Sequence, residues 1–430
     1  MKNRIWSPLY AVLFPIVYIA ARLFYRRWKE FGKDRFPEKG TPVIIVSNHQ
    51  NALLDPLLCC LTAPRQLHFL TRADVFRNKL TRPLIFNMNM LPVYRQHDKE
   101  ADKNSRNKKT FEVAINRLKK GAAIGIFPEG NHGAQKILRP MKRGMAHLLE
   151  MAAEMDLKEV KIVPIAVDYS EYNHARSSLV VNYGEPFILD DLLFVEGERK
   201  ERHITTMNRV KERLSEVMMD IGPKEWYPLL RAGEALAIDK WGYNAWPKIQ
   251  EEVHLLKEHV MARSAQFESV KELTDLDLSM QSANVTHRDL LDISRSHFGK
   301  LLVTMIGFPV ALPAIIAFAL PWQVALVATK KIVVDPCFNS TFRLVFGLLT
   351  ILPSWLILSF ILGAVFPIYP TWVYLISLLV SGIIALPVMD QIRDGRARIR
   401  AKNWARSNPD LFRKWESVMT TLREPLFRSS

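Results

Sequence analysis

The stretch that decides the fold reads VIIVSNHQNALLDP and covers residues 43–56. It opens with four apolar residues, Val43–Val46, a run too short to cross a membrane and typical of a buried strand. A histidine, three amide side chains and a carboxylate follow within a few positions. His49 can accept a proton near neutral pH, and a carboxylate such as Asp55 on its second nitrogen can fix the tautomer. The same two side chains could instead cap a helix, and the stretch alone leaves both interpretations open.

The alternation of apolar and amphipathic stretches around this segment, over residues 41–187, predicts an α/β fold. We expect a central, mostly parallel sheet with helices on both faces. Helices are predicted near Thr110–Lys120 and Arg143–Glu154, and a solvated, mobile loop over Gln96–Lys109. The predicted strands are Val43–Val46, His68–Leu70, Leu91–Tyr94, Ala122–Phe127, Val160–Val167 and Leu179–Val181.

The charge balance of the chain is basic, with a formal net charge of +16 over 430 residues. Such a balance suits nucleic acid, an anionic membrane or a phosphorylated substrate. Hydrophobic residues make up 49% and are concentrated in long uncharged runs of the C-terminal third, which favours a membrane surface. No zinc-finger spacing or RNA-binding aromatic motif is present, so we expect neither a nucleic-acid partner nor a metal site. The three cysteines are predicted to be reduced.

An apolar, aromatic segment at the N-terminus, Trp6–Phe24, precedes a cluster of basic residues that includes Arg26, Arg27 and Lys29. A signal peptide is followed by a small-residue cleavage site and not by arginines. We therefore expect residues 1–30 to form an uncleaved membrane helix, either lying in the interface or spanning the bilayer.

Three uncharged segments follow near the C-terminus, Leu301–Ala328, Leu344–Pro367 and Thr371–Met389, each close to or above the roughly 20 residues that cross a bilayer. Their basic flanks favour the cytoplasm. If the last two segments form a spanning hairpin, the first enters and leaves on one face, and its three prolines would suit a broken, re-entrant or interfacial segment. Three ordinary spans are the alternative. Either arrangement predicts an integral membrane protein whose α/β domain faces the cytoplasm, and we expect the membrane to be a bacterial inner membrane.

These patterns divide the chain into five parts. They are an N-terminal membrane or interfacial helix (1–30), an α/β domain (38–190), a helical region (191–298), a membrane domain (299–390) and a basic cytoplasmic tail (391–430).

Three further motifs follow the His49 segment in order: MLPVYR at 90–95, FPEG at 127–130 with LRPMKRG at 138–144, and IVPIAV at 162–167. Together with NYGEP at 182–186, they resemble the sequence blocks of the glycerolipid acyltransferase family, which includes glycerol-phosphate and lysophosphatidic acid acyltransferases. FPEG alone would be read as an ordinary turn. Four blocks in this order carry the resemblance, which covers about residues 41–187.

The resemblance implies a mechanism in which His49 acts as general base and Asp55 orients it. The activated hydroxyl of lysophosphatidic acid or glycerol 3-phosphate would attack an acyl thioester directly. No cofactor is expected, because acyl-CoA or acyl carrier protein is the acyl donor and therefore a substrate. A bilayer is the expected partner. The substrate-binding residues implied are Asn51, Arg95, Glu129, Gly130, Arg139 and Lys142, among which arginines suit phosphate because they offer parallel donors.

Three positions depart from the family pattern. Five residues instead of four separate His49 from Asp55, and these positions lie roughly 120° apart on an ideal helix, so His49 must precede the helix. We interpret the longer spacing, with Asn51, as the mark of a subgroup. Asn89 replaces a glycine, and asparagine tolerates left-handed backbone. His132 replaces an arginine that would contact phosphate, which leaves acceptors such as another lysolipid open.

Two other functions remain in view. A catalytically inactive scaffold or transport protein would explain the apolar segments, although these hold almost no ionisable residues. A serine hydrolase is less favoured because no Gly-x-Ser-x-Gly elbow is present.

Overall fold

The computed structural model describes residues 6–79, 81–95, 102–157, 159–188, 198–264 and 273–427. The chain divides into two compact units, Met1–Asp220 and Ile221–Ser430. The first contains the sheet, and the second is helical.

The described strands of the first unit form one seven-stranded sheet. They are β1 Arg27–Phe31, β2 Val43–Ser47, β3 Leu67–Arg72, β4 Met90–Val93, β5 Ala123–Ile126, β6 Lys161–Tyr169 and β7 Ser178–Tyr183. Their order is β1-β7-β6-β2-β5-β3-β4, and every neighbouring pair is parallel except β6 and β7. The predicted mostly parallel α/β sheet is confirmed.

Helices cover both faces of this sheet. They are α1 Pro8–Phe24, α2 Leu54–Thr62, α3 Arg82–Asn87, α4 Lys103–Leu118, α5 Gly144–Glu154 and α6 Arg199–Ser215. Side chains of α4, α5 and α6 pack on the β2 and β5 residues Ile44, Val46 and Ile124, while α2 packs against β6 and β7. All five residues of β2 are buried, which explains why this strand is continuously apolar.

Two local expectations are wrong. β1 is absent from the predicted strands because its sequence, RWKEF, is charged. The strand lies at the edge of the sheet and pairs with one neighbour only. Helix α4 begins at Lys103, inside the expected loop 96–109, and the Asn107 amide exchanges two 2.8 Å hydrogen bonds with the backbone of Tyr94. Residues 96–101 lie outside the described part of the chain.

The turn before β4 is the one that sequence analysis assigned to asparagine in place of glycine. Asn89 has φ of 61° and is fully buried. Its left-handed backbone is therefore retained without glycine, as predicted.

Helix α1 packs against the rest of the first unit along one side only. Tyr10, Ala21 and Phe24 are buried, whereas Val12 and Ile19 are 65% and 59% exposed. The helix has 17 residues, fewer than the roughly 20 that usually cross a bilayer. These features favour the interfacial alternative over a spanning N-terminal helix.

The second unit is helical throughout its described residues. Its helices are α7 Tyr227–Trp241, α8 Trp246–Ala262, α9 Thr274–Ser282, α10 His287–Leu291, α11 Phe298–Ile332, α12 Asn339–Val365, α13 Thr371–Ser407 and α14 Pro409–Phe427. The C-terminal helix α14 packs on α7 and α8. The first unit includes α6, and residue 390 lies within α13, while the five expected parts stay predictions.

Three described helices, α11, α12 and α13, are long and apolar enough to cross a membrane. Helix α11 continues through Pro309, Pro313 and Pro321, so the segment is not broken at its prolines; whether it is re-entrant or spans the bilayer stays a prediction. The Ser381 hydroxyl of α13 donates to the carbonyl of Val310 at 2.7 Å and accepts from the N–H of Ala314 at 3.1 Å, which satisfies backbone groups next to a proline. The sides on which these helices end stay predictions.

Candidate active site

The strand order brings the sequence motifs to one edge of the sheet. β2, β5, β3 and β4 are parallel neighbours, so the loops after their carboxyl ends lie together. His49 follows β2, Glu129 and Gly130 follow β5, and Arg95 follows β4. This edge is where ligands bind in open α/β sheets.

His49 and Asp55 are in direct contact. The His49 Nδ1 atom lies 2.9 Å from Asp55 Oδ2. Helix α2 begins at Leu54, so Asp55 is in its first turn and His49 precedes it, the arrangement that the five-residue spacing requires. Because Nδ1 is used by the carboxylate, Nε2 is the nitrogen available to take a proton. The His49 side chain is 13% exposed and that of Asp55 is fully buried.

Asp55 receives two further hydrogen bonds. The backbone N–H of Asn51 donates to Oδ2 at 2.7 Å, and the hydroxyl of Tyr169 donates to Oδ1 at 2.6 Å. Burial, followed by the charge of Asp55, raises the pKa of Tyr169 well above its ordinary value, so the hydroxyl stays protonated. Sequence analysis did not identify Tyr169, because a tyrosine ending a buried strand has the pattern of a core residue.

The His49 ring is held between aromatic groups. Phe127 stacks on it with a centroid distance of 4.1 Å, and His132 meets it edge-on at 5.6 Å. Phe127 was also missed as a site residue; its position before the Pro128 turn was the available signal. The stacking limits rotation of the imidazole.

Glu129 and Arg139 hold the backbone of His49. The Glu129 carboxylate accepts from the His49 N–H at 3.0 Å and from the Arg139 N–H at 2.9 Å, and it pairs with the Arg139 guanidinium. The same guanidinium donates to the His49 carbonyl at 2.7 Å and to that of Asn131 at 2.9 Å. Burial raises the pKa of Glu129 to about 7, and Arg139 and the backbone donors oppose that rise. In this structure both side chains position His49, and the substrate contacts implied for them stay predictions.

The turn at Gly130 lies beside Lys142. Gly130 has φ of 73°, a left-handed conformation that disfavours other residues. The Lys142 N–H donates to the Pro128 carbonyl at 2.7 Å, and a Cβ on Gly130 would lie 3.1 Å from Lys142 Cγ. Lys142 is exposed. Lys142 is therefore an exposed cation whose side chain begins next to the loop after β5, and β5 is the strand beside β2, which His49 follows.

Asn51 lies in the loop between β2 and α2. It is fully buried, its amide donates to the Tyr172 carbonyl at 2.8 Å, and its side-chain oxygen accepts from the Leu54 N–H at 3.3 Å. These contacts close the loop at the start of α2. The substrate contact implied for Asn51 stays a prediction.

Arg95 lies two residues beyond the end of β4. Its charge reaches Asp74, whose pKa is lowered: burial acts in the opposite direction, but the hydrogen bond and charge of Arg72, aided by Arg95, outweigh it. β4 is three strands from β2, or roughly 14 Å at about 4.8 Å per strand. Arg95 is thus at the far end of the site edge, and its role stays a prediction.

Comparisons with known proteins give one matching family model and several relatives. Residues 28–168 match the model of the Acyltransferase family. The chain is 36% identical to glycerol-3-phosphate O-acyltransferase 2 of Saccharomyces cerevisiae over 86 residues, which are 20% of this chain and 11% of that protein. It is 23% identical to the 1-acyl-sn-glycerol-3-phosphate acyltransferase of Bacillus subtilis over 159 residues, 36% of this chain and 70% of that protein.

A crystal structure of the 1-acyl-sn-glycerophosphate acyltransferase PlsC from Thermotoga maritima is similar at 16% identity and a TM-score of 0.34, covering 48% of this chain and 80% of that one. The chain spans about a tenth of the length of the yeast relative, so activity and substrates do not follow from these matches alone. Residues 28–168 of this chain form a domain of the Acyltransferase family.

Proposed function

We propose that the chain is a membrane-bound acyltransferase that moves a fatty acyl group from a thioester to a hydroxyl of lysophosphatidic acid or glycerol 3-phosphate. The observation that carries the proposal is the His49 Nδ1 to Asp55 Oδ2 contact of 2.9 Å at the carboxyl edge of the sheet. The family of the domain and the named relatives support acyl transfer in glycerolipid synthesis.

In the proposed reaction, His49 Nε2 takes the proton of the acceptor hydroxyl while its oxygen attacks the thioester carbonyl. The tetrahedral intermediate collapses, the C–S bond breaks, and the imidazolium returns the proton to the departing thiolate. Asp55 stabilises the imidazolium without taking its proton. The donor is acyl-CoA or acyl carrier protein, and no cofactor is consumed.

The acceptor phosphate would be bound by cations at the same edge. Lys142 starts beside the loop after β5, the strand next to β2, whereas Arg95 is three strands away. Lys142 is therefore the better candidate for a phosphate on the same glycerol as the reacting hydroxyl, and Arg95 for a more distant contact. His132, edge-on to His49, is close enough to influence acceptor choice.

The three helices that are long and apolar enough to cross a membrane support a bilayer as the partner. A monoacylated acceptor resides in a membrane, so an anchored enzyme suits lysophosphatidic acid better than free glycerol phosphate. We further propose that the catalytic domain faces the cytoplasm, because basic residues flank the apolar segments.

The test uses the purified full chain in phospholipid vesicles with an acyl-CoA or acyl carrier protein thioester. Thiol release is measured with lysophosphatidic acid, glycerol 3-phosphate, lysophosphatidylethanolamine or no acceptor, and products are identified by mass spectrometry. We expect acceptor-dependent release and a product heavier by one acyl group. Release that is equal without acceptor would indicate a thioesterase, and no release would indicate an inactive scaffold.

A further inference from the structure

Tyr169 is the last residue of β6, the strand beside β2. It is 1% exposed, and its hydroxyl donates to Asp55 Oδ1 at 2.6 Å. His49 and the Asn51 N–H both use the other oxygen, Oδ2. The two oxygens of Asp55 are thus fixed from two elements of the fold, the loop after β2 and the end of β6.

This arrangement determines the plane of the carboxylate. A carboxyl group held at one oxygen can rotate about its Cβ–Cγ bond, whereas donors on both oxygens fix the rotation. The His49 ring takes its orientation from Oδ2, so the Tyr169 hydroxyl sets the direction of Nε2 indirectly.

We propose that Tyr169 is a positioning residue for acyl transfer: its hydroxyl holds Asp55 in the rotamer that orients His49 and takes up part of the carboxylate charge. The inference rests on the proposed function, since it assigns a role within the same reaction. Tyr169 does not contact substrate and is not itself catalytic.

Several titratable groups surround the pair. Tyr25 lies with its ring centroid 6.1 Å from that of Tyr169, and burial, followed by the Asp55 charge, raises the pKa of Tyr25. Burial also raises the pKa of the Cys59 thiol, with further contributions from Cys60 and Asp55. On the side of His49 are His132 and the Glu129–Arg139 pair. The tyrosines and the thiol stay neutral at ordinary pH, which leaves Asp55 as the buried anion on this side of His49.

The experiment compares Tyr169→Phe with wild type in the vesicle assay. The variant loses a hydrogen bond to a charged group, so we expect kcat to fall about ten- to a hundredfold. The KM values for donor and acceptor should stay within about twofold of wild type. We also expect the acid limb of the pH–rate profile to move to higher pH. A carboxylate without the Tyr169 donor attracts the imidazolium proton more strongly, so His49 becomes available as a base only at higher pH.

The matched control is Tyr183→Phe. Tyr183 ends β7, is fully buried, and donates its hydroxyl to Thr62 Oγ1 at 2.7 Å without contacting Asp55. The Tyr183→Phe variant also loses a buried, hydrogen-bonded hydroxyl, so it measures the loss of stability that such a substitution causes away from Asp55. We expect wild-type kcat and an unmoved acid limb.

A second variant keeps the test decisive if Tyr169→Phe fails to fold. Replacing Tyr169 with 3-fluorotyrosine keeps the hydroxyl and makes it a stronger donor, so the acid limb should move to lower pH. Folded Tyr169→Phe with wild-type kcat and pH profile, or an unmoved profile with 3-fluorotyrosine, would overturn the role of Tyr169. Absence of acceptor-dependent release by the wild type would instead overturn the proposed function.

Discussion

Two histidines in the two units of the molecule differ in exposure and in the hydrogen-bond partner of the imidazole. His49 contacts a buried carboxylate through Nδ1 and keeps a partly exposed ring at the sheet edge. His287 is buried in the helical unit, where its Nδ1 accepts a 3.1 Å hydrogen bond from the Trp415 indole. Burial lowers the pKa of His287 to about 3, with a further contribution from Arg231 that Glu234 opposes.

The difference lies in the partner of each imidazole. An acid partner stabilises the charged ring that forms when a base takes a proton, whereas an indole N–H requires the ring to remain neutral. The partner of His49 thus suits the proposed role as a base, whereas the partner of His287 favours a neutral ring. Changes at Asp55, Glu129 and His287 test this difference directly, and a change at Lys142 tests the loop near His49.

The largest effect is expected for Asp55→Asn. An amide offers one acceptor oxygen to the three donors around position 55 and cannot balance an imidazolium, so kcat should fall on the order of a thousandfold or more. The measurement is acceptor-dependent thiol release. The control is Asp292→Asn, which alters another histidine–carboxylate pair, with His297 Nε2 at 3.0 Å in the second unit. Equal losses in the two variants would show that the Asp55 pair has no special role.

A smaller effect is expected for Glu129→Gln. The variant breaks a buried ion pair with Arg139 and weakens the hydrogen bond from the His49 backbone N–H. We therefore expect the folded state to be destabilised by about 3 kcal/mol and kcat to be ten- to hundredfold lower. Glu234→Gln breaks the Arg231 pair of the helical unit, with its 2.6 Å contact. It should lower thermal stability while the kcat of the folded fraction stays at wild type. A normal kcat for Glu129→Gln would remove Glu129 from the positioning of His49.

The third prediction concerns pH and stability. The folded state holds His287 neutral, whereas the unfolded chain protonates it below about pH 6.5, so acidification favours unfolding. The contribution of His287 is complete above pH 6.5 and is lost towards pH 3, at about 1.4 kcal/mol per pH unit. Thermal unfolding in detergent at pH 7 and pH 5 should show a larger loss for wild type than for His287→Gln. Identical losses would contradict a neutral, buried His287.

The smallest effect is expected for Lys142→Ala. An exposed cation beside the Gly130 turn should contribute to phosphate binding without affecting the chemistry, so KM for phosphorylated acceptors should rise about three- to tenfold at constant kcat. Lys119→Ala, at the end of α4, removes an exposed lysine elsewhere in the same unit and serves as control. An unchanged KM would contradict a phosphate contact by Lys142 and would favour Arg95 or another cation for that contact.

Much of the fold could be predicted because its signals are local. The apolar run of β2, the alternation after it and the requirement that His49 precede α2 are all contained in short stretches of sequence. The left-handed turn at Asn89 was predictable for the same reason, since it depends on one residue type. β1 was not predictable, because its pairing with β7 joins residues about 150 positions apart and its own sequence is charged.

The candidate site was predictable only in part. Spacing identified His49 and Asp55, but it could not show that Arg139 donates to the His49 and Asn131 carbonyls or that Asn51 is buried. Tyr169 reaches Asp55 from a strand more than a hundred residues away. Such contacts depend on tertiary packing, which no local pattern contains.

The most direct test of the account is the rate of acceptor-dependent thiol release by His49→Ala in vesicles, measured at matched folded fraction. We predict that the rate falls to the level seen without acceptor, and that added imidazole restores part of it. Acceptor-dependent release at the wild-type rate would contradict a mechanism in which His49 removes the proton.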